Sequence, residues 1–239
     1  MADAHPRGEG GGLAPDARLG GTFGTGRLRR GGIMSDIDQV EQKRGYLLPY
    51  HRMLAAHDPE LLTLYDAFYT RLTLVEKTLP PREKEIVWIA LLAAAREGVG
   101  KLHLERGVAA GLSLAEIRAS VALSAASESW AATAFAAEHW AEFTPPEKML
   151  GAYRALVEAA RGPIEPRVAE LALLLCHAAR AADAPMRHHL STYFAAGGEA
   201  GALAEALAFL FLPMGANLLI EAVAIWAAAA PDLGIPAPY

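Results

Sequence analysis

The chain has 239 residues, of which 53% are hydrophobic and 21% charged, enough for a substantial core in one large domain or two smaller ones. A formal net charge of −5 argues against nucleic acid as a partner, which calls for a basic face. Cys176 is the only cysteine, so an intrachain disulfide is excluded, and a reducing, cytoplasmic setting fits.

Residues 1–33 are rich in Gly, Ala, Arg and Pro without apolar periodicity. They are expected to be a disordered N-terminal segment, since they cannot bury enough surface to offset the entropy of ordering. Met34 is the expected true start of translation. No apolar stretch of a secretory signal is present near the N-terminus.

Residues 37–57 read as two short helical pieces around Gly45-Tyr46. Asp58-Pro59-Glu60 predicts a helix start, with Asp as N-cap and Pro at the first helical position. Leu61, Leu62, Leu64, Tyr65, Phe68 and Leu72 then follow at helical spacing. Pro80-Pro81 opens an apolar helix that carries Glu85, and Gly98-Val99-Gly100 breaks it. A second helix carries Lys101 and His103 and stops at Gly111. Ser113 to Glu116 is a capping box that starts a third.

Ser127-Glu128-Ser129 reads as a break within that third segment, and Thr144-Pro145-Pro146-Glu147 as a second capping box. A helix from Pro166 to about Ala181, a turn at Asp183-Ala184-Pro185, and a helix from Met186 to Ala196 follow. The apolar tract Ala206–Ala230 is interrupted by Pro213 and Gly215 and carries Glu221. It is expected to be a buried helix pair rather than a membrane span. No period-2 alternation or hairpin signal appears, so the predicted fold class is all-α.

The pattern recurs within the chain. Pro81-Arg82 with Glu85 matches Pro166-Arg167 with Glu170 at an offset of 85. His103 matches His189, Ala109-Ala110-Gly111 matches Ala195-Ala196-Gly197, and Trp140 matches Trp226, each at an offset of 86. Leu114-Ala115-Glu116 matches Leu203-Ala204-Glu205 at 89, which needs a short insertion. Matches of this kind predict two related helical repeats, over 34–143 and, in degenerate form, 144–239.

An acid on an apolar helix, a break, H-x7-G and then S-x-x-E-I resembles the carboxymuconolactone decarboxylase family and its AhpD-like relatives. Pro81 to Glu85, His103, Ala109-Ala110-Gly111 and Ser113 to Ile117 carry the resemblance. It covers most of residues 45–140 and is weaker over 150–230. The resemblance implies an AhpD-like helical bundle that assembles as a homo-oligomer, a trimer or hexamer. It also implies one of two chemistries: a C-x-x-C redox relay, or cofactor-free decarboxylation of a small cyclic (lactone) acid.

The redox branch needs two thiols ahead of the histidine, where this chain has Arg96 and Val99 in the first repeat and Ala182 and Pro185 in the second. On the lyase reading, Glu85 and His103 are the catalytic candidates, and Arg96 or Lys101 holds a small anionic substrate. Glu170 and His189 are a candidate second site. The histidines offer no H-x3-H or HExxH spacing, so neither a metal nor another cofactor is expected. Two other readings stay open: a catalytically silent oligomeric scaffold, and a peroxidase using Cys176 alone.

Overall fold

The computed structural model describes residues 36–239, and the expectations of disorder over 1–33 and of a start at Met34 lie outside the described residues. Among the described residues there are eleven α-helices and no strand, so the chain is all-α. The described residues divide into two units, the first ending at residue 62 and the second covering 63–239.

In the first unit, α1 (Asp36–Arg44) packs on α2 (Pro49–His57). The Leu48 backbone N–H donates to His51 Nδ1 at 3.0 Å, which closes the start of α2. The Asp58 carboxylate accepts from the Leu61 N–H at 3.0 Å, so the predicted cap opens α3 (Pro59–Tyr69), which runs across the division.

The second unit is built on two helices whose apolar residues occupy every side, α4 (Pro81–Ala94) and α8 (Pro166–Ala178). A helix of that kind is stable only when enclosed, and the rest of the unit encloses them. α5 (Lys101–Ala109) follows α4, and α9 (Asp183–Ala195) follows α8. The long α6 (Leu114–His139) packs along α7 (Pro146–Arg161) and against α4 and α8. α10 (Ala200–Ala208) and α11 (Ala216–Leu233) complete the cover. One core cluster gathers Trp88, Leu91, Leu174, Leu190, Phe209 and Trp226. The other gathers Ile86, Ile89, Leu123, Tyr153, Leu173 and Cys176. Both draw on α4 and α8.

Corresponding turns share one backbone solution. α4 ends with Arg96 at φ +57°, where the Glu97 N–H reaches Leu92 O at 3.0 Å and the Arg96 N–H reaches Ala93 O at 3.2 Å. α8 ends with Ala181 at φ +50°, where the Ala182 N–H reaches His177 O and the Ala181 N–H reaches Ala178 O, both at 3.1 Å. These are left-handed helix caps in which the last carbonyls find donors. Gly111 (φ +85°) and Gly197 (φ +81°) close α5 and α9 in the same manner, at the offset that separates the histidines.

Several expectations needed correction. α6 is continuous through Ser127-Glu128-Ser129. The Ser127 and Ser129 hydroxyls donate to Ser124 O and Ala126 O, each at 2.6 Å, so they are satisfied within the helix and need no break. Thr144 does not cap α7: its hydroxyl donates back to Ala136 O and Trp140 O, each at 2.8 Å, at the end of α6. α9 starts at Asp183 and takes Pro185 into its first turn, where a missing N–H costs nothing. α10 is buried as expected, while α11 buries Ala222, Trp226, Ala229 and Ala230 fully and packs the partly exposed Leu219, Val223, Ile225 and Leu233 against the core. It is one helix long and apolar enough to cross a membrane, with 22% of that window buried.

Candidate functional site

Pro81 supplies a preset φ at the first turn of α4, and Arg82 reaches across to Gly111 O and to the Glu116 carboxylate. Glu116 and Ser113 form the predicted capping box: the Ser113 N–H donates to Glu116 Oε2 at 2.9 Å, and the Glu116 N–H to Ser113 Oγ at 3.2 Å. The starts of α4 and α6 are thereby tied together. After the Arg96 turn, Glu97 caps a 3-10 turn at Gly98–Gly100 by accepting from the Val99 N–H at 3.1 Å. α5 then sets His103 against α4.

The result is a contact between Glu85 Oε2 and His103 Nδ1 at 2.7 Å, with side chains 7% and 9% exposed. Trp88, one turn beyond Glu85, stacks on the imidazole with centroids 4.6 Å apart and is itself backed by Phe209 at 4.5 Å. With Nδ1 on the carboxylate and the ring face on indole, the imidazole orientation is fixed. Its Nε2 has no hydrogen bond from a described residue.

Glu85 also lines a depression of about 320 Å³ with Glu76, Pro81, Lys84, Arg106 and Ala110. Lys84 Nζ donates to Val75 O at 2.9 Å, and burial pushes its ammonium below the ordinary value against the pull of the Glu205 and Glu85 carboxylates. Arg106 Nη2 donates to the Tyr69 hydroxyl at 2.8 Å, while its Nη1 is buried without a partner among the described residues.

Arg96 and Lys101 do not line this depression. Both lie on another one, beside Ile89 and Leu104. The Arg96 side chain is 83% exposed and 3.7 Å from Glu128. The left-handed cap at Arg96 points its side chain away, and Lys101, two residues before His103, falls on a different face of α5. Arg106 was legible in principle, since a residue three after His103 shares its helix face. Lys84 was less so: nothing local marks a lysine on an apolar helix as partly sequestered.

The second pair is built alike and finished differently. Glu170 Oε2 lies 2.6 Å from His189 Nδ1 and accepts from Thr192 Oγ1 at 2.5 Å. His189 Nε2, however, is 2.7 Å from the Tyr153 hydroxyl, which is also 3.1 Å from His177 Nε2. The two imidazoles stack with centroids 5.2 Å apart. A phenol carries one proton, so it donates to one of these nitrogens while the other must donate to it. Burial pushes the Tyr153 phenol above its usual pKa, and burial with His189 nearby pushes His177 down to about 2. Burial favours the neutral Glu170 acid, but the hydrogen bond and charge of His189, with Thr192 and His188, outweigh it and hold the carboxyl below its ordinary value.

Cys176 is fully buried, and its thiol donates to Ala90 O at 3.6 Å. Burial pushes it up to about 11, so a thiolate nucleophile is disfavoured. Among the described residues no group of three or more His, Cys, Asp and Glu side chains is placed to hold a metal.

A search of curated proteins found no match, and a search of solved structures found none either. Residues 59–143, the stretch that sets Glu85 on His103, match the model of the Carboxymuconolactone decarboxylase family.

Proposed function

We propose that the Glu85–His103 pair is the centre of a cofactor-free lyase that decarboxylates a small cyclic (lactone) acid. The observation that carries this reading is the 2.7 Å contact between Glu85 Oε2 and His103 Nδ1, on a depression that also holds Lys84 and Arg106. Lys84 and Arg106 replace Arg96 and Lys101 as the groups that attract the substrate anion. Arg106 Nη1 has a donor to spare.

In the reaction the bond between the ring carbon and its carboxylate breaks. The electron pair moves into the conjugated lactone carbonyl, and the carbon then takes a proton. The pair holds that proton either as carboxylate and imidazolium or as carboxylic acid and imidazole. Glu85 lines the depression, so the pair passes the proton to carbon through the Glu85 carboxyl and recovers one from water through His103 Nε2, which no described residue occupies. His103 is the partner that keeps the proton available, and Trp88 keeps the ring in register.

The assay is CO2 release from lactone acids by the full chain. Glu85→Gln and His103→Ala are expected to reduce release to background with the helical circular-dichroism signal unchanged. Release that survives both substitutions overturns the reading.

A silent scaffold is the second reading. It is favoured by the partners that Lys84 and Arg106 already have, Val75 O and the Tyr69 hydroxyl. On that reading no lactone acid is turned over, and Glu85→Gln changes stability alone. For either reading we take the matching turns at 96 and 181, and at 111 and 197, as support for two repeats of one helical unit, and the assembly as a trimer or hexamer.

A further inference from the structure

We infer that the depression between α7, α8 and α9 is a second, independent ligand site, built for a small carboxylic acid that also carries a hydrogen-bond donor. It encloses about 360 Å³, its polar lining is Tyr153, Arg154, Glu158, Arg161, Glu170, His188 and His189, and its apolar wall includes Val157 and Ala169. None of these residues lines the Glu85 depression.

The chemistry follows from which groups are free. Arg161 is committed, donating to both oxygens of Glu158 and to Ile164 O. Arg154 is exposed and has no hydrogen-bond or ion-pair partner among the described residues, so it is the available cation. His188 is pushed down to about 4 by burial and by His189 and Arg154, so at neutral pH it adds no charge. At the other end, His189 is 1% exposed and both its ring nitrogens are taken, by Glu170 and by Tyr153. It cannot present a nitrogen to a ligand. Glu170, 13% exposed, is the member of the pair that the ligand meets, and as a carboxylate it only accepts.

A guanidinium donor and a carboxylate acceptor in one depression select a molecule with the reverse pattern: a carboxylate for Arg154 and a hydroxyl or ammonium for Glu170. A hydroxy acid and an amino acid share that chemistry. Tyr153 makes the difference from the first site. By occupying His189 Nε2 it turns a proton-transfer pair into a fixed acceptor, so this site binds and does not decarboxylate.

Calorimetric titration of the full chain with glycolate, glycine and acetate tests the inference. Glycolate or glycine is expected to bind at least about tenfold more tightly than acetate, which lacks the donor. Preference between glycolate and glycine identifies the hydroxy or the amino acid as the ligand class. Arg154→Ala, at an exposed position that does not threaten the fold, is expected to weaken binding by about tenfold or more. Equal binding of acetate, no binding of any probe, or an Arg154→Ala variant that binds like the wild type overturns it. Loss of lactone decarboxylation does not bear on it, because the two depressions share no residue.

Discussion

The Tyr153 hydroxyl lies 2.7 Å from His189 Nε2, and among the described residues no such group meets Nε2 of His103. Two Glu–His pairs of nearly equal length thus differ in what remains free. Tyr153→Phe keeps the ring and removes the hydroxyl that donates to one of the His177 and His189 ring nitrogens and accepts from the other. Two buried ring nitrogens lose their partner, so a loss of about 1–3 kcal/mol in unfolding free energy is expected from urea titration. A loss within experimental error would mean that the two imidazoles rearrange to satisfy each other.

Acid should unfold this protein early. His177 is held down to about 2 and His188 to about 4, against 6.5 when free. The folded state therefore binds fewer protons than the unfolded one. The stability from these groups is complete above about pH 6.5 and is lost progressively as pH falls towards those lower values. Glu170, held below 4.5, adds its own loss in the acid range. For the fully enclosed His177 the slope approaches about 1.4 kcal/mol per pH unit. Urea midpoints measured from neutral to mildly acidic pH should fall; a flat profile would mean that these imidazoles are not sequestered.

Cys176 should not react with a thiol reagent in the native state and should react fully once unfolded, because it is enclosed and its thiol stays protonated. Peroxide consumption should sit at background and be unchanged by Cys176→Ser. Turnover abolished by that substitution would restore the single-cysteine peroxidase.

Two glycines should respond in opposite directions to alanine. Gly151 lies inside α7 with nothing within 4 Å of an added Cβ, so Gly151→Ala should stabilise by about 0.5–1 kcal/mol. At Gly198 an added Cβ would stand 2.3 Å from the Tyr193 ring, whose hydroxyl is held by Glu199. Gly198→Ala should therefore destabilise by about 1–3 kcal/mol. Thermal melts of both variants check the pair.

Phe135, Trp140 and Phe143 are 49%, 57% and 83% exposed at the end of α6 and just beyond it. Aromatic side chains so placed commonly mark an interface. Light scattering is expected to give a mass of three or six chains, and a value near the 25.4 kDa of one chain would exclude the oligomer.

Local chemistry is what the sequence alone determined. Asp58 and the Ser113–Glu116 box start helices where they were expected, because a cap needs only residues within one turn. Glu85 and His103, and Glu170 and His189, sit on α-helices joined by a few residues, so chain connectivity brought each pair together. Contacts between distant segments were decided only by the tertiary structure. Tyr153 meets His177 and His189 from 24 and 36 residues away, and no local pattern encodes that meeting. Arg96 and Lys101 are near in sequence to His103 but line a different depression from Glu85, because a left-handed turn and the phase of α5 direct them elsewhere, while Lys84 and Arg106 line the same one as Glu85. Composition allows a charged side chain, but only the packed helix face decides which cleft it lines.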